Sequence, residues 1–369
     1  MSTNNSLSIT SLIVSIALIT GCTSPAFSST GASTQSSSVN VISSTEPSQA
    51  SSVSTQDPAA GSTVTASDNS STQVTSAEPS EDAPVVTKDP YGGGNEPVPD
   101  GDLQLVFIGD SQFDRWRNSS TSISELVGEE MNALHYNLGV GGTCAGVERS
   151  QSGFNASNDQ NDYEEANFTA ICHMLRGEVS TERYSNILNQ EFNMVLDAIK
   201  PELVDYYIIE YGYNDYYTAV DMYNEEDPYD EHTFYGALNQ GIKLLKEISP
   251  NAHFIICTPC YCRFYNGSGK DMGDAYNVTK GLGSLAYYAD YALKLADNIG
   301  ARKLDAIGGG AFNLNSYTYK EYLEDSVHLS YRGRVVYAKA LRRIILDDMG
   351  IYDSEGEGSI EVPLSIANY

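Results

Sequence analysis

Four short stretches of this chain, at the ends of apolar runs or late in the sequence, carry a hydroxyl, an imidazole, carboxylates and an amide. Gly109-Asp110-Ser111 follows Leu105-Val106-Phe107-Ile108. A buried strand ending in a tight turn has this look, with the Ser111 hydroxyl lifted onto the rim of a sheet. Asn137-Leu138-Gly139-Val140-Gly141-Gly142-Thr143 clusters glycines after a second β-prone run. Without Cβ atoms, N–H groups there can approach a ligand closely. Tyr211-Gly212-Tyr213-Asn214-Asp215 follows the most β-prone run, and Asp325-Ser326-Val327-His328 leads into the last helical period. Acyl transfer from an ester needs a nucleophile, a base, an orienter for that base, and donors for an oxyanion. The four stretches supply one set of each. Singly, each has a plainer reading. Asp and Ser start helices, glycines make turns, Asn214 and Asp215 can close a turn, and Asp325 can cap locally beside a solvated His328. The joint pattern is what favours chemistry.

Those groups can meet only if the elements between them bring the strand ends together. Apolar runs predict strands over 103–108, 135–138, 204–211, 253–258 and, more weakly patterned, 303–307. Helical spacing predicts helices over 121–133, 186–199, 235–248, 283–298 and 330–348. This alternation implies parallel strands, right-handed crossovers and helices on both faces of one sheet. Ligands of such sheets sit beyond the carboxyl ends of the strands, where the four stretches fall. The long intervals 144–181, 216–229 and 260–274 are expected as loops that shape specificity.

The blocks Gly-Asp-Ser, Gly, Gly-x-Asn-Asp and Asp-x-x-His, in that order over about residues 103–346, resemble the SGNH (GDSL-type) hydrolase family. Ser111, Gly142, Asn214 and His328 match its name-giving residues. The resemblance implies a three-layer α/β/α sandwich around a mostly parallel, flavodoxin-like five-stranded sheet. It implies an esterase triad of Ser111, His328 and Asp325. The oxyanion hole would be the N–H groups of Ser111 and Gly142 with the side-chain amide of Asn214, and no metal or organic cofactor is required. Gly142 is preferred to Gly139 and Gly141 because Thr143 follows it. Gln112 stands where the family's name has Leu. The α/β-hydrolase elbow Gly-x-Ser-x-Gly is unmatched, since Phe113 holds its last position. The expected substrate is a small-molecule or glycan ester, foremost a short acyl ester of carbohydrate or cell wall. A lysophospholipase-like hydrolase or an acyltransferase would use the same residues. A non-catalytic, surface-binding lipoprotein is the reading from another class.

Residues 7–19 are apolar apart from Ser and Thr and have the length of a signal-peptide core. They end in Ile19-Thr20-Gly21-Cys22, which resembles the lipobox of bacterial lipoproteins, with Cys22 as the lipidated residue. An ordinary secretory signal is the other reading, because residues 1–6 carry no Lys or Arg. Either places the protein outside the cytoplasm, the first on the outer face of the membrane through a lipid anchor. Residues 23–100 are Ser, Thr, Ala, Pro and acid, and are expected as a disordered tether. The domain is expected over 101–350 and a tail over 351–369.

Of the net charge of −28, residues 23–100 account for −8, which leaves about −20 on the remainder. Nucleic acid is thereby excluded as a partner, since phosphate binding needs a basic surface. Oligomeric state is not legible. Besides Cys22, the five cysteines Cys144, Cys172, Cys257, Cys260 and Cys262 are an odd number, against a full disulfide framework. His253 with Cys257, Cys260 and Cys262 has a zinc-like spacing. The run His253-Phe254-Ile255-Ile256-Cys257 reads better as a buried strand with Cys as a small apolar residue.

Overall fold

The protein is described by a computed structural model. It describes residues 85–88, 95–98, 103–147, 166–280, 282–310, 312–353, 358–360 and 362–363. All lie in one unit, Ser76–Tyr369. The signal segment, Cys22 and most of the tether fall outside the described residues. Within the stretch read as tether, β1 (Val85–Lys88) and β2 (Asn95–Val98) pair antiparallel.

The five expected strands form one sheet. β3 (Gln104–Gly109) is an interior strand, and Leu105 to Ile108 are fully buried. Helix α1 (Ser111–Asp114) follows at once, then α2 (Ile123–Met131) and edge strand β4 (Leu134–Asn137). Helices α3 (Phe168–Leu175) and α4 (Gln190–Ala198) precede β5 (Tyr206–Glu210). Helices α5 (Tyr213–Thr218) and α6 (Phe234–Ile248) lead to β6 (His253–Cys257). A hairpin of β7 (Arg263–Tyr265) and β8 (Asp271–Asp274) precedes α7 (Leu285–Ile299) and β9 (Arg302–Leu304). Short α8 (Tyr319–Tyr322) and long α9 (Tyr331–Asp348) close the order.

The sheet order is β4-β3-β5-β6-β9, and every pair is parallel. The chain therefore steps to one edge and then back across to the other. This flavodoxin-like order puts a topological switch point at the carboxyl ends of β3 and β5. Successive strand residues point to opposite faces. Tyr206 donates to Asp348 Oδ2 at the end of α9 (3.0 Å), while the Tyr207 hydroxyl pairs with Ser249 Oγ just after α6 (2.8 Å). Helices α9 and α6 thus cover opposite faces, and the architecture is three-layered.

The intervals expected as loops hold structure. Asn167 caps α3 by accepting the Ala170 N–H at 3.0 Å. Phe168, Ile171, Cys172 and Leu175 then fall on one helical stripe. The stripe reaches α6 at Gly241, where a Cβ would lie 2.2 Å from the Phe168 ring. Only glycine permits that approach. The 260–274 interval forms the β7–β8 hairpin. Ile360 and Val362, in the expected tail, are buried. Arg332 holds that segment by donating to Val362 O at 2.9 Å.

Cys144, Cys172, Cys257, Cys260 and Cys262 are all buried, and no disulfide joins them. Cys257 ends β6, whereas His253 begins it and pairs with Asp348 at 2.6 Å, Nδ1 to Oδ2. The strand separates the imidazole from the thiols, so the zinc-like spacing does not converge.

Candidate active site

The site begins where β3 stops. A Cβ on Gly109 would lie 2.7 Å from the Glu210 carbonyl and 2.8 Å from the Phe113 ring, so glycine lets β3, β5 and α1 close together. Asp110 caps α1 by accepting the Gln112 N–H at 3.0 Å. Phe113 anchors that short helix edge-on to Phe107 and to Tyr337 of α9, with ring centroids 5.4 and 6.2 Å apart. Ser111, the first helical residue, is left partly exposed at the sheet rim.

Ser111 Oγ lies 2.9 Å from His328 Nε2, although 217 positions separate them. His328 Nδ1 lies 2.7 Å from Asp325 Oδ2. The other carboxylate oxygen of Asp325 accepts the backbone N–H groups of Val327 and His328, both at 2.7 Å. Burial works to raise the Asp325 pKa. The bond from the His328 ring, the two backbone donors and the imidazolium charge outweigh it and hold the carboxyl well below its usual range. Asp325 is therefore ionised wherever an ester hydrolase is ordinarily assayed. A bridge between Leu323 and Leu329 and a bond from Glu324 N–H to His328 O (2.9 Å) pinch this loop shut.

Two polar residues that the sequence reading left without a role hold the loop to α1. The Gln112 amide donates from Nε2 to Val327 O at 2.9 Å and accepts the Leu329 N–H at 3.4 Å. It thus brackets His328 on both sides while sitting beside Ser111. Glu324 pairs with the Arg115 guanidinium and accepts from the Trp116 indole N–H (3.2 Å) and from Arg334 (3.3 Å). The signal for Gln112 was present: a polar residue at a buried position where Leu would be the expected type. Gln112→Leu keeps much of the volume but orphans a carbonyl and an N–H. We expect stability to fall by about 1–3 kcal/mol. We also expect kcat for p-nitrophenyl acetate to fall by about tenfold with KM little changed, since a small displacement of the base lowers rate more than binding. Chemical denaturation and steady-state kinetics check the two halves.

The glycine loop divides by function. A Cβ on Gly139 would lie 2.7 Å from Phe113 Cβ, so Gly139 serves close packing. The Gly141 N–H donates to Asp114 Oδ2 at 2.9 Å. Gly142 has φ +83°, open space where a Cβ would stand, and an N–H that meets no acceptor among the described residues. The Ser111 N–H is likewise without an acceptor there. Asn214 lies in the first turn of α5. Its Nδ2 donates to Asp110 Oδ2 and to Thr143 O, both at 3.0 Å. The structure thus brings Asn214 to the site, but both amide hydrogens are engaged. The amide must release one partner to serve an oxyanion.

Beneath the site lies a cluster of buried acids. Asp215 accepts the Ala145 and Gly146 N–H groups at 3.0 and 2.9 Å. Burial, opposed by those bonds and supported by the Asp110 charge, pushes its pKa up to about 7. Glu210 is fully buried at the end of β5. Burial, then the charge of Asp110 beside it, pushes the Glu210 pKa well above the ordinary carboxylate value. Burial also raises Asp110, against the opposing effects of its Gln112, Glu210 and Asn214 bonds and the His328 charge. Asp110 and Asp215 hold backbone, in keeping with their reading as turn residues. Glu210 was missed, although an acid inside the most apolar run was the visible cue. Among the described residues no group of three His, Cys, Asp or Glu side chains could hold a metal ion. None of the described helices is long and apolar enough to cross a membrane.

No family model and no curated protein matches the chain significantly. Solved structures with a similar fold include a protein from Chitinophaga pinensis described as a possible lipase. It is 15% identical, with a TM-score of 0.45, over 68% of this chain and 100% of that one. A protein from Lactobacillus plantarum is 20% identical with a TM-score of 0.44, over 67% and 97% of the two chains. A carbohydrate acetylesterase family member from Sinorhizobium meliloti is 15% identical with a TM-score of 0.39, over 67% and 99%. The functional reading rests on the geometry of the site rather than on these likenesses.

Proposed function

We propose that the chain is a serine ester hydrolase of the SGNH type. The observation that carries this is the hydrogen-bonded relay Ser111–His328–Asp325 at the switch point of the sheet, with the N–H groups of Ser111 and Gly142 uncommitted among the described residues. His328 Nε2 takes the proton of Ser111 as Oγ attacks the ester carbonyl. Asp325 keeps the other ring nitrogen protonated and supports the imidazolium. The developing oxyanion meets the N–H groups of Ser111 and Gly142, and Asn214 on rotation of its amide. His328 then protonates the leaving alcohol, and water repeats the sequence on the acyl-enzyme.

The finer reading is a short acyl ester of a carbohydrate or cell-wall glycan. A lipobox-like Cys22 and a Ser/Thr-rich tether support anchoring at the outer membrane face, where such esters are met. A fluorophosphonate probe tests the core of the proposal. A single adduct on Ser111, found by peptide mapping, is the expected result. No adduct would favour a non-catalytic binding role.

Asn214→Ala separates the oxyanion role from mere support. It removes one donor and unties Asp110 from Thr143. We expect kcat to fall on the order of a hundredfold, leaving a measurable remainder. Full activity on p-nitrophenyl acetate would remove Asn214 from the oxyanion site.

A further inference from the structure

We propose that Trp116 is the platform of a subsite that takes a neutral pyranose ring on the leaving-alcohol side of Ser111. The proposal rests on the hydrolase reading and names its alcohol.

Trp116 is the single tryptophan of the chain. Its φ is +64°, a left-handed conformation that is rare for so bulky a residue. Its surroundings hold it there. The indole N–H is tied to Glu324, and the Arg334 guanidinium lies 5.3 Å from the ring centroid. Yet the residue keeps 44% of its surface exposed. A core residue would be covered, and an idle surface residue would not be anchored from two sides. An aromatic ring fixed in place and left open is pre-organised to stack on something.

The ring borders an open basin of about 400 Å³ shared with Asp114, Arg117, Asn118, Asn189 and Glu191. The basin is linked to the Ser111 rim through Asp114, which lines it. Asp114 accepts the Gly141 N–H, and a Cβ on Gly141 would lie 3.7 Å from that of Ser111. The basin also lies on the side of the base. Glu324, which grips Trp116, immediately precedes Asp325, and Arg115 reaches both, with its contact to Asp325 at 3.7 Å. The leaving alcohol must collect its proton from His328, so the alcohol belongs on the side of that loop.

The lining selects the ligand. Asp114 pairs with Arg117 at 2.8 Å, and Glu191 accepts the Asn118 amide at 3.0 Å. The carboxylates already have partners, and Arg334 already lies over the indole. The basin therefore offers hydrogen bonds around an aromatic face rather than a bare charge. A pyranose fits, with its flat C–H face and its rim of hydroxyls. A fatty alcohol would leave the polar rim unpaired.

Two measurements on the full chain decide the matter. First, Ser111→Ala is titrated with unacetylated xylotetraose while the fluorescence of Trp116 is followed. A saturable change in the millimolar range or below is expected; a flat signal overturns the proposal. Second, kcat/KM is measured for acetylated xylotetraose, p-nitrophenyl acetate and acetylcholine. Trp116→Ala should lower the ratio of the sugar ester to the p-nitrophenyl ester by about tenfold, the scale of one aromatic stacking contact. Trp116→Phe should restore most of it. A parallel fall on both esters would mean that Trp116 only supports the catalytic loop, and a preference for acetylcholine would mean a cation site. Turnover of p-nitrophenyl acetate without any action on the sugar ester sinks the subsite while the hydrolase reading stands. Absence of any turnover or adduct sinks the hydrolase reading, and the fluorescence titration still judges the platform.

Discussion

Ser111→Ala is expected to lower ester turnover by at least about four orders of magnitude and to leave the fold intact. The rate follows from covalent chemistry: without Oγ no acyl-enzyme forms, and the residual rate is that of water beside the oxyanion donors. The fold is spared for a local reason. Among the described residues the hydroxyl bonds only to His328, and α1 is capped by Asp110 rather than by Ser111. Loss of one partly exposed hydrogen bond costs about 1 kcal/mol or less. The Asp325–His328 contact does not depend on it. Initial rates on p-nitrophenyl acetate and a thermal melt check both halves. Appreciable turnover by the variant would refute the nucleophile assignment.

Asp325→Asn should cost on the order of a thousandfold or more in kcat, although the two side chains are nearly isosteric. The reason lies in the two ends of the carboxylate. Oδ1 accepts the Val327 and Leu-flanked His328 backbone N–H groups, and Oδ2 accepts from the His328 ring. In the Asn variant the single amide oxygen must stay on the two backbone donors. The NH2 group then faces Nδ1 and donates to it. That forces the ring proton onto Nε2, where it points at Ser111 and cannot accept the serine proton. NMR shifts of the His328 ring nitrogens read the tautomer, and steady-state kinetics reads the rate. A variant within tenfold of the parent would show that Asp325 is only a loop cap. Because the carboxyl of Asp325 is held well below its usual range, its own titration should not limit activity near neutrality.

Part of the site was legible before any coordinates. Ser111 and Asn214 follow apolar runs whose ends the parallel alternation brings to one rim, whereas Asp325 and His328 were marked only by their spacing before the last helix. Asp110 and Asp215 were read as holding turns, and they accept backbone N–H groups. The misreadings share a cause. Helix α3 hides in a polar-looking interval because its evidence is a cap and a stripe of only eight residues, whose burial comes from the distant Gly241. Hairpin β7–β8 has a mixed sequence without alternation, and backbone pairing with its neighbour makes it a strand pair. Gln112, Glu324 and Glu210 had no local reason to be singled out beyond their polarity. Their partners lie across the fold, at Val327 and Leu329, at Arg115 and Trp116, and at Asp110.

Strand and helix periods and the types of the candidate site residues are short-range properties, carried by neighbours along the chain; they sufficed for the layered parallel sheet. Which way the Asn214 amide turns, how His328 is braced from both sides, and why Trp116 stays half exposed in a left-handed conformation could not be read that way. Each is a competition for hydrogen bonds and space among residues remote in the chain, and only packing decides which partner wins.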